Sequence, residues 1–447
     1  MFRRHAAPAA PRAFGAAARS LVTAHLALLL LVLGVLQGCS AGYSGRLDDV
    51  RRSIAASDLN AAEAKLSTLL DGSGQVAAAP NEDMPLLLLE RASVRQALGQ
   101  HEAAIADFTD ADPMLELLDL TPDGAGSAAE YLFSDDAGIY KLPVYEKLMV
   151  NASAMLSYLS ANDLPGALVE ARRLTILIDY FNGTDLAGHP AIQAASLLAG
   201  LAFSAGGDPT GEKLIAESGL MPAGADKDAA DDGKGLVLAV VFSGLAPYRR
   251  AERYPIGVVF DAVGRDSRYQ LSQEQQERMA KASAENLLTW VNYPVLVRYP
   301  ASTSRFAASA GGFSAEATEI ADLADFALAQ WKSEESAIAW AALTRAITRI
   351  IAREAVQAVG DAAGGKNSST ASAFFVLSLI TQGVMQAADT PDTRTWNMMP
   401  ARISLATLRL PVGEQQLTFT SSSGRTQSIS ISARDDRPVV ALFRTTE

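Results

Sequence analysis

Gly99-Gln100-His101-Glu102-Ala103-Ala104-Ile105 is the stretch on which the fold turns. An apolar-periodic segment, Leu86 to Leu98, runs into a turn residue at Gly99. A second periodic segment then leads to Phe108 and Ala111, with Pro113 near its end. Both segments have helical spacing, so the turn ends one helix and starts another. Ala104 lies five positions after the turn, where a small side chain lets two helices approach closely. Ser57-Asp58-Leu59-Asn60-Ala61-Ala62 and Asn162-Asp163-Leu164-Pro165-Gly166-Ala167-Leu168 share the pattern, which places Ala62 and Ala167 in the same role. Ala191 to Phe203, Gly207-Asp208 and Leu214-Ile215 suggest a fourth pair, short and without the alanine.

These junctions resemble the tetratricopeptide motif, in which two helices per repeat stack into an array. The resemblance implies a tetratricopeptide-like helical domain over residues 48–221, interrupted by inserts such as Asp119 to Ala137. Met221 to Gly235 is rich in Gly, Ala and Asp, so residues 222–235 read as a linker.

Beyond it the pattern shifts to β. Leu236 to Phe242 is a short apolar, β-branched run, and Gly257 to Phe260 and Pro294 to Tyr299 also read as strands. Ser272 to Trp290 reads as a helix. Ala315 to Val359 is mostly helical, Gly360 to Ser369 a break, and Thr370 to Ala388 a second helix. Ile403 to Thr446 reads as strands, with alternation in Ser428-Ile429-Ser430-Ile431-Ser432. The expected fold class is α-rich: a helical array, then an α+β domain over 236–447. That domain would be a mostly antiparallel meander joined to Leu236–Phe242 in one sheet, with the helix pair packed on a face.

The N-terminus reads as a targeting segment. Arg3, Arg4, Arg12 and Arg19 precede an apolar stretch, Leu26 to Leu36, which ends in Gln37-Gly38-Cys39. This resembles bacterial lipoprotein signal peptides. The resemblance implies removal of residues 1–38, lipid on Cys39 and a tether over 39–47. Ser40 in place of an inner-membrane retention aspartate implies the periplasmic face of the outer membrane. The chain as a whole resembles a family of uncharacterised bacterial lipoproteins with tetratricopeptide-like N-terminal halves. That likeness rests on Tyr145-Glu146-Lys147-Leu148-Met149-Val150-Asn151, on Gly233-Lys234-Gly235 and Gly244-Leu245-Ala246-Pro247 with Arg249 and Arg250, and on Asp392-Thr393-Arg394-Thr395-Trp396 with Pro400. It brings no enzyme activity with it.

Composition narrows the chemistry. The net charge of −12 without a long basic tract argues against nucleic acid, whose phosphates need clustered Lys and Arg. Cys39 is the single cysteine, so no disulfide forms within the chain. Beyond Cys39 only His101 and His189 remain, too few for a site of several imidazoles. His101-Glu102-Ala103-Ala104-Ile105 begins like a zinc-protease motif, but Ile105 stands where the second ligand belongs. Gly360 to Asn367 has phosphate-loop spacing but follows a helix and lacks the hydroxyl. The aspartates between 226 and 232 lack EF-hand spacing.

No cofactor or metal is expected. Arg345, Arg349 and Arg353 lie four apart, a helical stripe that could meet lipid headgroups or an acidic partner. Arg394 and Trp396 alternate and can share a face; their expected role is to anchor the sheet to the helix pair, with binding as the alternative. These features favour a non-catalytic, lipid-anchored periplasmic scaffold that holds a protein partner in the groove of the array. One alternative is a cell-wall enzyme working with two carboxylates alone. Another is a structural subunit of an envelope assembly.

Overall fold

The computed structural model describes residues 42–72, 81–115, 140–220, 233–256, 258–259, 272–284, 290–300, 304–364 and 391–447. Cys39, nearly all of the 222–235 linker and the helix expected over 370–388 lie outside the described residues.

Four helix junctions share one backbone conformation. Ser57, Gly99, Asn162 and Gly207 all adopt left-handed φ, between 60° and 74°. At each, the next residue's N–H reaches back five positions: Asp58 to Ser53 O, Gln100 to Arg95 O, Asp163 to Tyr158 O and Asp208 to Phe203 O, at 2.8–2.9 Å. This closes off carbonyls that the preceding helix leaves without partners. Asp58, Asp163 and Asp208 then accept an N–H at the start of the following helix, from Ala61, Gly166 and Thr210.

These turns organise the N-terminal region. A short α1 (Tyr43–Arg46) leads to four helix pairs. They are α2 (Asp48–Ala55) with α3 (Leu59–Asp71), α4 (Met84–Ala97) with α5 (His101–Leu115), α6 (Val144–Ser160) with α7 (Leu164–Asn182), and α8 (Pro190–Ala205) with α9 (Thr210–Ser218). Each helix packs on the next in chain order.

Ala62, Ala104 and Ala167 are all fully buried. In the fourth pair glycines do the same work: a Cβ on Gly211 would meet Ser204 N at 2.6 Å, and one on Gly200 would meet Gly211 O at 3.0 Å. Ala104→Leu is therefore expected to overpack the α4–α5 contact and lower stability by about 1–3 kcal/mol. Differential scanning calorimetry checks this; an unchanged melting temperature would place Ala104 away from a helix contact.

The C-terminal region is α+β, with three sheets among the described residues. The central one has the order β10-β1-β7-β6, built from β1 (Lys234–Ser243), β6 (Thr318–Asp322), β7 (Arg402–Pro411) and β10 (Val439–Arg444). β1 pairs antiparallel with β7 and parallel with β10. A second sheet has the order β5-β4-β8-β9, from β4 (Phe306–Ala310), β5 (Phe313–Glu316), β8 (Gly413–Ser421) and β9 (Thr426–Ala433). β2 (Tyr248–Pro255) and β3 (Trp290–Val297) form a separate antiparallel pair. One expectation is thus corrected: the C-terminal strands do not make one meander. β7 and β8 part company at Val412-Gly413, where Gly413 has φ 115°, and enter different sheets.

The alternation of side chains along a strand explains the layering. Leu238, Val240 and Phe242 of β1, Ile403 and Leu405 of β7, and Val440 and Leu442 of β10 belong to one core with the helices. Val237, Ala239 and Val241, Ala406, Leu408 and Leu410, and Ala441 and Phe443 point the other way and meet Phe306, Leu417, Phe419 and Ile431 of the second sheet. The central sheet is therefore buried on both faces, which is why β1 reads as a continuous apolar run. The helical and α+β regions share a core through this sheet.

The helix α11 (Leu323–Gly364) runs through Gly360, where a break was expected. Its Ala339, Leu343, Ala346 and Ile347 pack on Val291 and Tyr293 of β3. The long helix thus covers the β2–β3 pair through this cluster, while Leu323, Phe326 and Ala327 at its start join the core shared by the central sheet and the helices. Arg278 of α10 (Gln273–Ala284) pairs with Glu354 of α11. Among the described residues no helix is long and apolar enough to cross a membrane.

Candidate functional site

Residues 391–399 form neither helix nor strand, yet Thr393 to Met399 are all buried. A buried irregular segment must find partners for its backbone polar groups. The helical region supplies them. Glu146 of α6 accepts the Trp396 N–H at 3.1 Å. Glu90 of α4 accepts the Asn397 N–H at 2.7 Å, the Met398 N–H at 2.6 Å and the Asn397 side-chain amide at 2.8 Å. Arg444 of β10 donates to the Met398 carbonyl and, at 2.8 Å, to Gln96 of α4. From the other side, Ala246 N–H donates to the Met399 carbonyl at 2.8 Å.

Trp396 is the centre of this docking. It has no exposed surface. Its indole Nε1–H donates to Ser93 Oγ at 2.9 Å and to Leu89 O at 3.2 Å, and its ring meets Phe108 edge-on at 6.3 Å. Arg394 is also buried; it pairs with Asp392 at 2.9 Å and lies 5.5 Å from the centre of the Tyr140 ring. The expected anchoring role of Arg394 and Trp396 is thus redirected: the segment they carry docks onto the helices of the N-terminal region, not between the sheet and a helix pair.

The two carboxylates are perturbed together. Burial pushes both Glu90 and Glu146 up to about 7, against the pull of the hydrogen bonds they accept. Tyr43 donates to Glu90 at 3.1 Å and Tyr140 to Glu146 at 2.9 Å, and burial raises both phenols well above their usual range. Burial pulls the Arg444 guanidinium down to about 9, and the charge of Glu90 opposes that.

Raised carboxylates in pairs are a mark of acid–base sites. Here, however, Glu90 Oε1 already accepts three donors and Oε2 a fourth, close to the full capacity of a carboxylate. Each oxygen of Glu146 accepts one donor, Tyr140 O–H or Trp396 N–H. The arrangement holds a segment of chain in place.

The other candidates scatter. Gly99 and the three junction alanines sit at helix turns and contacts. Arg345 is 3% exposed, so it does not lie on a solvated stripe, and the side chains of Arg349 and Arg353 lie outside the described residues. His189 caps α8 through Nδ1, accepting the Ala191 N–H at 3.2 Å, and stacks on Phe326 at 3.8 Å. A cleft of ≈ 170 Å³ opens between the two regions, lined by Leu59, Phe306, Phe419, Phe443, Arg425 and Glu447. Arg425 there pairs with Glu447 and donates to Ser57 at 2.8 Å. Among the described residues no group of three or more His, Cys, Asp or Glu could hold a metal.

Glu90 and Glu146 escaped sequence reasoning, although both signals were present. Glu90 follows Leu86-Leu87-Leu88-Leu89 on a helix, and Glu146 opens the Tyr145–Asn151 block. A lone carboxylate in the apolar phase of a helix marks a buried acceptor.

Comparison with known protein families, curated proteins and solved structures gives no match.

Proposed function

We propose that this protein is a non-catalytic, lipid-anchored scaffold of the cell envelope, built on a tetratricopeptide-like array, that binds a protein partner. The four equivalent junctions support the repeat assignment. The observation that carries the binding role is an apolar stripe on the outside of α7. Val169, Ile176 and Tyr180 are 50%, 51% and 40% exposed. They stand at i, i+7 and i+11, so they share one helix face about 16 Å long. The inward face of the same helix is filled by Ala167, Ala171, Leu174, Leu177 and Ile178, so the helix is apolar on two sides. Among the described residues Val169 and Ile176 belong to none of the apolar core clusters, and an exposed stripe of this kind suits a partner.

The partner is an amphipathic helix of an envelope protein, with anchors at matching spacing and acidic residues to meet the exposed Arg172 beside the stripe. This moves the binding surface from the groove expected earlier. The helix faces that would line it carry Glu90 and Glu146 and hold residues 391–399 of the same chain. The four donors on Glu90 also weigh against the cell-wall enzyme alternative.

The test combines attachment with contact. Cys39→Ser is expected to release the mature protein from membranes, because stable anchoring takes more than one acyl chain or signal. A photo-crosslinking residue at position 176 should form one defined adduct in intact cells, and Val169→Glu should reduce it at least severalfold. An adduct of equal yield from position 274 on α10, or none from 176, would defeat the proposal.

A further inference from the structure

β9 lies at the end of the second sheet, with β8 as its hydrogen-bonded neighbour on one side. Among the described residues its other side has no strand against it. The register with β8 is regular over eight pairs, from Gly413↔Ala433 to Thr420↔Thr426. Bare edges usually carry a lysine, a proline or a bulge, because an unpaired row of N–H and C=O groups invites another strand. Thr426 to Ala433, Thr-Gln-Ser-Ile-Ser-Ile-Ser-Ala, carries neither charge nor proline. The other strand ends differ. β5, at the opposite edge of this sheet, is four residues long and ends at Glu316. β10 and β6, which end the central sheet, pack against α6 and α8.

The sequence of this edge is its own complement. Ser428-Ile429-Ser430-Ile431-Ser432 reads the same in both directions. Two copies in antiparallel pairing, with a twofold axis at Ser430, place Ser428 opposite Ser432 and Ile429 opposite Ile431. Opposed residues of an antiparallel pair share a face. The serines would stay on the outer face, where all three are exposed now, and the isoleucines on the inner face. Ile429 is half-buried today and would gain Ile431 of the second copy as a neighbour.

We infer that β9 is a homodimer edge: two copies of this chain join by antiparallel β9–β9 pairing about Ser430, making one continuous eight-stranded sheet. Such an interface is isologous and closes on itself, so it gives dimers and not filaments. The inference does not depend on the scaffold reading or on the lipid.

Two measurements on the mature chain in a Cys39→Ser background test it. Analytical ultracentrifugation of this parent should show a concentration-dependent dimer. Ser430→Lys should be monomeric, since it sets two ammonium groups opposite each other at the axis. Ser430 is exposed and its Oγ donates to Gln416 Oε1 at 3.2 Å on the surface, so far-UV circular dichroism should show the variant folded. In the second measurement Ser430→Cys is oxidised beside Gln416→Cys. Gln416 pairs with Ser430 on β8 and is also exposed. Across the axis the two thiols at 430 lie about 5 Å apart by Cα. Those at 416 are three strand spacings apart, roughly 14 Å, beyond disulfide reach.

A reducible dimer with Ser430→Cys and none with Gln416→Cys is the expected result. Equal crosslinking of both, a dimer that survives Ser430→Lys, or a parent that stays monomeric without crosslinking through 430 would overturn the inference. The last outcome would leave the edge to a strand from a different protein.

Discussion

Trp396→Ala is expected to lower the unfolding free energy by about 4–5 kcal/mol, the upper range for removing a buried aromatic side chain. Three losses combine. The indole leaves a cavity among α4, α5 and the 391–399 segment, where Trp396 has no exposed surface. The edge contact with Phe108 is lost. Ser93 Oγ and Leu89 O lose the donor they share. Domains of this kind are stable by only about 5–15 kcal/mol, so the variant would be close to unfolding.

Trp396→Phe separates the terms. It keeps most of the packing and removes the Nε1–H, for a cost of about 1–3 kcal/mol. Guanidinium denaturation of the two variants reads both numbers. Because the segment ties the α+β region to the helices, Trp396→Ala should also expose residues 391–399 to protease before the rest of the chain. A loss below about 2 kcal/mol, with no new cleavage, would mean that the indole does not hold the seam.

The second large effect comes from Glu90. Glu90→Ala strands four donors: Tyr43 O–H, the N–H groups of Asn397 and Met398, and the Asn397 amide. A buried donor without a partner costs about 1–3 kcal/mol, and neighbouring losses do not simply add, so about 3–5 kcal/mol is expected.

The same site sets a pH dependence. Glu90 and Glu146 titrate near 7 in the fold and near 4.5 when the chain is unfolded. Between those values the folded state binds more protons, so stability falls as pH rises from 4.5 to 7 and levels off above. Each carboxylate contributes about 3 kcal/mol to that fall. Burial also raises Glu170, which adds to the fall, and lowers His101 and His189, which opposes it; Asp208 and Glu252 are shifted down but lie almost wholly in solvent and weigh little. Glu90→Gln, which cannot titrate, should make the slope shallower. Urea melts at several pH values between 5 and 8 measure it, and a flat or rising profile for the unmodified protein would contradict the assignment.

Much of the helical region was legible because its determinants are local. A turn residue, followed at three of the four junctions by a capping aspartate, fixes a helix end by itself, so Ser57-Asp58, Gly99-Gln100, Asn162-Asp163 and Gly207-Asp208 could be found in order along the chain. Ala62, Ala104 and Ala167 could be named because they keep a fixed offset from those turns. The strands of β1 and β7 to β10 were readable for the same reason, through composition and alternation. Their assignment to sheets was not. Pairing is decided by contacts between residues far apart in sequence, and a turn at Val412-Gly413 looks alike whether it joins neighbours in one sheet or crosses between two.

The role of residues 391–399 was the least visible. Asp392 to Trp396 has no periodicity, and its partners on α1, α4, α5 and α6 come within reach only through the packing of the whole. The sequence by itself determined that the N-terminal region is a succession of short helix pairs, that the C-terminal region is α+β, and where the two helices of each N-terminal pair meet. These follow from backbone preferences and side-chain size within a few residues. Only the tertiary structure decided that the central sheet is buried on both faces, that Glu90 and Glu146 clamp a distant segment, and that Trp396 fills the space between α4 and α5. Those outcomes depend on desolvation and on which polar groups are left to satisfy once water is excluded, quantities that exist only when the distant parts of the chain have come together.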